Sequence, residues 1–339
     1  MKKLFIISNE SIFEKEKKYF CDNIEMKTTP EGISKNFEVI IFARKSKTPR
    51  SHELNINNIL LSGSIFSFLK KIIKTPKSEE AKYFIFSISP FTFFACIFIK
   101  LFKRKPIVYL RSDGYKEYKA IFGFLGPIIY HFMFIIISKI SHLISCRKYI
   151  LRNKVGNIVH PSQLDEDWLR NLKEINFDKI KLLYVGRVKV EKGIFSFIDI
   201  IKDNNEISLS IVGAEKKSLN SINQSNVKVY EIENNKQKLI KLYDDHNIFI
   251  LPSFTEGHPM ALLEALARKR PVIIFDDIQH VIGEKKGIFA VKRNIKSLLE
   301  IIHYINKNYK EIQETMKKNY LPTNDKFLED FKNLICKLH

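Results

Sequence analysis

The sequence predicts an α/β protein built from two doubly wound domains that face each other across a cleft. Three observations carry this. Short apolar runs alternate with helix-like segments along the whole chain, in two successive series of about 150 residues each. A length of 339 residues is enough for two proper cores. The stretch from Ile248 to Ile274 reads as strand, tight loop, helix and strand, and in open parallel sheets ligands bind at such carboxyl-end loops.

In chain order, Lys3–Ser8 reads as the first strand, too short and apolar over too few residues for a signal peptide. Ser11–Asn23 is expected to be helical, Phe37–Phe42 a second strand and Arg44–His52 a basic loop. Over Ile65–Lys74 one helical face holds Ile65, Phe68, Leu69 and Ile72, with lysines mostly off it. Taken alone this is an ordinary surface helix, but the same pattern serves at a membrane surface. Tyr83–Ile88 is a strand, Pro90 opens a Phe-rich helix to Phe102, and Pro106–Leu110 is a strand ending in the polar loop Arg111-Ser-Asp-Gly114. Ala120–Ser138 has 19 residues without Lys, Arg, Asp or Glu. Gly123, Gly126 and Pro127 interrupt it and a strand follows at Ser141, so it is expected as a buried or interface-seated helix rather than a span.

Residues 151–178 read as the region between domains. The expected boundaries are 1–172 for an N-terminal, acceptor- and membrane-facing domain and 173–320 for a donor-binding domain. Residues 321–339 are expected as a terminal helix packing back on the first domain. In the second series, strands are expected at Ile180–Val185, Ile207–Val212, Val227–Ile232, Ile248–Leu251 and Pro271–Ile274. Helices are expected at Ile194–Lys202, Lys236–Asp244, Met260–Ala267, Lys296–Ile305 and Asp325–Leu338.

Charge is uneven. Residues 1–160 hold 28 Lys/Arg against 12 Asp/Glu, +16 of the chain's formal +20. A basic half suggests a polyanionic surface, either nucleic acid or an anionic membrane leaflet. No nucleic-acid recognition motif accompanies the charge. Cys21, Cys96, Cys146 and Cys336 show no C-x-x-C spacing and are expected as free thiols, without a structural metal.

Two stretches could carry chemistry. In Tyr184-Val-Gly-Arg-Val-Lys-Val-Glu-Lys-Gly193, Arg187 follows a strand's carboxyl end and Lys192 sits at a helix start. A guanidinium fork and a point charge beside helix-start N–H groups suit a diphosphate, although a solvated charged loop has the same composition. The order is neither Walker A nor a G-x-G-x-x-G nucleotide loop. In the second stretch, Glu256 lies in a loop and Glu264 eight residues later on a helix. They read as two grips on different hydroxyls of one ligand rather than an acid/base pair. As plain structure, they would be a dipole partner and a helix-surface carboxylate.

The ordered set Gly186-Arg187…Glu191-Lys192-Gly193, Pro252-Ser253…Glu256-Gly257-x-Pro259-x4-Glu264-Ala265-x-Ala267 and Pro271-Val272-Ile273 resembles retaining glycosyltransferases of family 4, which have the GT-B fold. It covers the C-terminal half; the N-terminal half agrees only in its strand–helix rhythm. The resemblance implies that Arg187 and Lys192 hold the donor diphosphate, Glu256 the sugar hydroxyls and Glu264 the ribose, with N–H groups of Gly257–Met260 facing the phosphate and sugar. The implied donor set is Gly186, Arg187, Lys192, Gly213, Glu256, Gly257, His258, Pro259, Met260, Leu263 and Glu264. Glu256, Arg187 and Lys192 are expected to act in catalysis. Asn9, Arg111 and Asp113 are expected on the acceptor side. No metal or other cofactor is expected, and the donor would be a UDP- or GDP-sugar.

Three departures stand out. Ser8-Asn-Glu-Ser11 replaces the common Gly-Gly loop, Arg111–Tyr115 lacks the common His, and Arg268-Lys-Arg-Pro271 replaces small-Gly-x-Pro. The expected function is transfer of a sugar to a lipid-linked or membrane-bound glycan acceptor, in cell-envelope polysaccharide or glycolipid assembly. Peripheral binding to an anionic surface, the cytoplasmic face of the inner membrane, is expected through residues 65–74 and the region 91–138. The alternatives are a GT-B epimerase or phosphorylase and a catalytically silent sugar-binding relative.

Overall fold

A computed structural model describes residues 2–75, 81–175, 177–214, 222 and 224–338. The elements are β1 (Lys3–Lys15), β2 (Lys18–Cys21), α1 (Ile24–Ile33), β3 (Glu38–Lys45), β4 (His52–Leu54), β5 (Asn58–Ser62), α2 (Ile65–Ile73), β6 (Lys82–Phe86), α3 (Pro90–Leu101), β7 (Ile107–Leu110), α4 (Gly114–Phe122), α5 (Gly126–Ile140), β8 (His142–Ser145) and β9 (Gly156–Ile158). They continue with α6 (Glu166–Leu169), β10 (Ile180–Val185), α7 (Ile194–Ile201), β11 (Ile207–Ala214), β12 (Val227–Glu231), α8 (Lys236–Asp245), β13 (Ile248–Leu251), α9 (Met260–Ala267), β14 (Val272–Phe275), β15 (Ile288–Val291), α10 (Ile295–Lys307), α11 (Tyr309–Met316) and α12 (Asn324–Lys337).

The chain forms two compact units, Met1–Pro161 with Asp325–His339, and Ser162–Asn324. The division lies earlier than the expected 172/173. The reason is Arg268, whose guanidinium donates to the carbonyls of Trp168 (3.1 Å), Arg170 (2.7 Å) and Asn171 (2.9 Å). It binds these residues into the second unit. At the other end, Asn324 donates to the Leu164 and Ser162 carbonyls at 2.6 and 2.8 Å, so 321–324 also stay with that unit.

In the first unit, β5-β3-β1-β6-β7-β8-β9 run parallel, and β2 and β4 form an antiparallel ribbon on the far end of β1. One face of the sheet carries α2, α3, α4 and α5, whose Phe68, Ile72, Phe93, Tyr118, Tyr130 and Ile137 fill a core. On the opposite face Met26 and Ile33 of α1 meet Phe327, Phe331 and Ile335 of α12.

Residues 11–23 are not helical. β1 runs on to Lys15, turns through Glu16 and Lys17 at positive φ (51° and 62°), and returns as β2. The pairing of Phe13 with Phe20 and the complete burial of Ile12 reward the extended form. The helix comes next instead, capped by Asn23.

In the second unit the order is β12-β11-β10-β13-β14-β15, all parallel. Runs such as Ile248–Leu251 and Val272–Phe275 are buried throughout, as strands covered on both faces require. Strand order reverses once in each sheet, between β1 and β6 and between β10 and β13. Crevices that take ligands open at such points.

Candidate active site

The reversal in the second unit brings the loops after β10 and β13 together. Phe254 N donates to the Glu191 carbonyl at 3.1 Å. Gly193, at φ +65°, passes so close to the second loop that a Cβ there would lie 2.0 Å from the Pro252 carbonyl oxygen. Gly213, at φ +114°, does the same for β10 and β11, since its Cβ would meet the Gly186 carbonyl oxygen at 2.4 Å. Only glycine fits at either position. Tyr184 OH donates to the Arg187 carbonyl at 2.8 Å and pins the first loop.

Glu256 lies at the meeting point. Its Oε1 accepts from Lys192 Nζ at 2.6 Å and from Ser253 Oγ at 2.7 Å. The Glu256 carboxylate is 9% exposed and the Lys192 side chain 21%. Behind them, His280 Nε2 donates to the Glu256 carbonyl at 2.8 Å. Arg293 donates to the Pro252 carbonyl at 3.0 Å, pairs with Asp277 at 2.7 Å, and stacks 4.2 Å from the Phe254 ring and 4.1 Å from that of Phe275. Arg187 is exposed, with no hydrogen bond or ion pair of its guanidinium among the described residues.

Side chains of Asn23, Ser64, Ser89, Asp113, Asp165, Asn235 and Asn294 cap the helices that follow them. α7 and α9, the two helices that start at this site, open on Gly193 and Pro259 without a side-chain cap. Their first N–H groups carry the positive end of the helix dipole and suit an anion. Gly257, His258 and Met260 surround this start half-buried, with Pro259 buried. The Leu263 side chain belongs to the core.

Glu264 sits one turn further along α9, half-buried, and its Oε2 accepts from Tyr243 OH at 2.8 Å. Burial pushes its carboxyl up to about 7, against the lowering effect of the Tyr243 hydrogen bond. The two glutamates therefore have separate partners.

The three residues expected on the acceptor side are in the first unit. Asn9 lies in the β1 irregularity between Ile7 and Ser11, its Oδ1 buried without a partner. Arg111, at the end of β7, donates to Glu25 Oε2 at 3.3 Å, and its Nε is buried unpartnered. Asp113 is engaged already, accepting from Tyr115 N at 3.1 Å as cap of α4 and from Arg152 at 3.1 Å. Burial also raises the Glu10 carboxyl above the usual carboxylate range, with Arg111 opposing. Sequence reasoning missed Tyr184, Tyr243, Arg293 and His280 as supports. Ser253 was visible in the motif, but its bond to Glu256 was not.

Residues 165–320 match the family described as "Glycosyl transferases group 1". The match covers somewhat less than half of the chain and is to a glycosyltransferase domain, the enzyme class expected from the sequence. Three curated relatives agree in class. The chain is similar to the putative teichuronic acid biosynthesis glycosyltransferase TuaC of Bacillus subtilis, 26% identical over 137 residues, 40% of this chain and 35% of that protein. It is similar to the N,N'-diacetylbacillosaminyl-diphospho-undecaprenol alpha-1,3-N-acetylgalactosaminyltransferase of Campylobacter jejuni, 27% identical over 38% of this chain and 36% of that protein. The chain thus spans about a third of these two. With the capsular polysaccharide biosynthesis glycosyltransferase CapM of Staphylococcus aureus the likeness runs over 324 residues, 24% identical and 84% of each chain. Among solved structures, HepE of Anabaena, in complex with UDP and glucose, superposes with a TM-score of 0.71 at 10% identity over the full length of both chains. The fold is GT-B, with two parallel-sheet α/β domains.

Proposed function

We propose that the protein is a retaining glycosyltransferase of family 4. In this reading it moves a sugar from a UDP- or GDP-sugar to a lipid-linked or membrane-bound glycan acceptor. The setting is assembly of a cell-envelope polysaccharide or glycolipid on the cytoplasmic face of the inner membrane. The observation that carries this reading is the Lys192–Glu256–Ser253 cluster between the uncapped starts of α7 and α9.

Two cations and two sets of helix N–H groups suit a leaving diphosphate. As the anomeric carbon parts from the phosphate oxygen, charge grows where these fixed dipoles and cations stand, and that stabilises the transition state more than the ground state. Arg187 and Lys192 supply this without a metal ion. Ser253 and Lys192 aim the Glu256 carboxylate at the sugar hydroxyls, and Glu264 takes the ribose. Without donor, Lys192 is held by Glu256, so the diphosphate gains a cation that is already in place. The names of the relatives, one acting on a diphospho-undecaprenol-linked sugar and others in capsule and teichuronic acid synthesis, support the acceptor class and the setting.

A thermal-shift series with UDP, GDP and their sugars tests the donor side, because a ligand of the native state raises its Tm. A shift of several degrees with one nucleoside diphosphate, lost in Lys192→Ala, is expected. No shift with any of them overturns the reading. Donor consumption that requires no acceptor would point to an epimerase instead.

A further inference from the structure

We propose that the α4–α5 hairpin is an in-plane wedge that inserts its outer apolar side chains into an anionic membrane leaflet, without crossing it. Ile121, Phe122, Phe124, Leu125, Ile128 and Phe132 follow one another along the end of α4, the 3-10 turn Gly123–Leu125 and the outer face of α5. All are at least half exposed, Phe124 at 80%. One exposed Leu means nothing, but six such side chains in succession form a patch on the order of several hundred Å², of the kind that marks an interaction surface.

The hairpin holds its shape without a partner. Gly126 packs so close to α4 that a Cβ would meet the Tyr118 carbonyl oxygen at 1.9 Å, and Gly114 lies against the Tyr130 ring. Tyr115 OH and His131 Nδ1 are 2.8 Å apart, tying the base of the two helices. The wedge is thus preorganised, and insertion requires no refolding.

Charge selects the occupant. Residues 87–155 contain 12 Lys/Arg and two Asp/Glu. Lys116 and Lys119 on α4 are exposed within a few residues of the apolar stretch, and Lys100, Lys103, Lys105 and Lys139 are exposed at the ends of α3 and α5. An apolar face flanked by lysines matches acyl chains below and anionic headgroups above. A second copy of the chain would bring the same positive face against this one, which repulsion disfavours.

Gly114–Ile140, 27 residues, would be long and apolar enough to span a bilayer as one straight helix. The chain breaks at Gly123, where φ is +61°. The resulting helices, of 9 and 15 residues, reach about 14 and 22 Å at the α-helical rise, short of the ~30 Å hydrocarbon core. The inner face of α5 (Tyr130, Met133, Phe134 and Ile137) is sealed in the core, and β8 follows at His142. A span would tear out both. This narrows the membrane element expected at 65–74 and 91–138 to the hairpin within the second stretch. Phe68 and Ile72 of α2 are core residues, which leaves Phe66 and Ile73 as its exposed large apolar side chains.

The proposal deepens the acceptor-side reading above and rests on it for its purpose, but vesicle binding needs neither donor nor acceptor, so the two fail separately. The full chain is sedimented with phosphatidylcholine vesicles with and without phosphatidylglycerol. Binding to the anionic vesicles and release by alkaline carbonate are expected. Phe122→Ser/Phe124→Ser/Phe132→Ser should weaken binding at least about tenfold while circular dichroism and Tm stay native. In a second variant, Phe124→Trp, the new emission should shift to the blue on vesicle binding, read against the buried Trp168 (3% exposed) of the parent chain. No binding to anionic vesicles, full binding by the triple variant, unshifted emission from bound Phe124→Trp protein, or retention through carbonate would each overturn the proposal.

Discussion

Both sheets reverse their strand order once, between β1 and β6 in the first unit and between β10 and β13 in the second, and polar side chains gather at both places. In the second unit most are already engaged. Lys192 and Ser253 both donate to Glu256, Tyr243 holds Glu264, and the loop carbonyls of Arg187, Pro252 and Glu256 accept from Tyr184, Arg293 and His280. In the first unit, Asn9 Oδ1 and Arg111 Nε are buried without partners. The same topological device thus appears in two conditions. In the proposed function, one is set in advance for a ligand part that does not vary, a diphosphate with its sugar and ribose. The other holds two buried polar atoms with no partner among the described residues, as is also Arg293 Nη1 in the second unit, and an unpaired buried polar atom is costly.

The prearranged side depends most on Asp244. It pairs with Arg268 at 2.7 Å and Arg270 at 3.2 Å, both 1% exposed. Asp244→Ala would strand two buried cations and should cost about 3–5 kcal/mol of stability, read by urea denaturation. A loss below about 1 kcal/mol would mean that this side is less rigid than the comparison holds.

Next come Lys192→Ala and Glu256→Ala. Each should lower the transfer rate by two to three orders of magnitude, roughly the effect of removing one transition-state donor, with the fold retained. Wild-type rates in either variant would break the site assignment and with it the contrast between the two units.

Arg111→Ala tests the receptive side. It should raise the acceptor KM by about tenfold, the worth of one charge-assisted hydrogen bond, with donor KM unchanged. An equal rise for donor would erase the division of labour.

A smaller effect concerns pH. With the free Glu264 carboxyl raised to about 7, ribose hydroxyls donating to it, as the proposed function has them, would draw it into the ionised form. Nucleotide affinity should weaken as pH falls below about 7, by no more than about tenfold per pH unit, and Glu264→Gln should flatten the profile. The sign for stability is opposite: since the folded form holds this proton more tightly, the unliganded fold loses stability as pH rises from the ordinary carboxyl range towards 7.

The smallest expected effect is a gain. Lys269 ends α9 at φ +55°, so Lys269→Gly should raise stability by up to about 1 kcal/mol, measured as Tm.

That lysine also shows what was legible in the sequence. Buried parallel strands such as Ile248–Leu251, and helices such as Met260–Ala267, announce themselves by composition, and most of the residues proposed to hold the donor fall near their ends. The β1–β2 turn does not. Its positive-φ positions hold Glu16 and Lys17 where glycine or asparagine would normally signal a hairpin. α1 hides behind Pro30, inside a weakly apolar helix. The unit boundary was misplaced because Arg268 reaches back about a hundred residues, and no local pattern encodes such a contact. Arg268-Lys-Arg looked like a departure from a small-Gly pattern. In the fold, its two arginines tie the start of the second unit to α8 and α9.

The route of the chain has a consequence for its synthesis. The second unit, Ser162–Asn324, interrupts the first, and α12 comes after it. Phe327, Phe331 and Ile335 cover the sheet face that includes Phe84 and Tyr109, where the Phe331 ring lies 4.8 Å from Phe84. On the ribosome, the second unit therefore has all its residues before the first can close its core. Until α12 emerges, a nascent chain carries an open apolar face, a target for chaperones and a risk for aggregation.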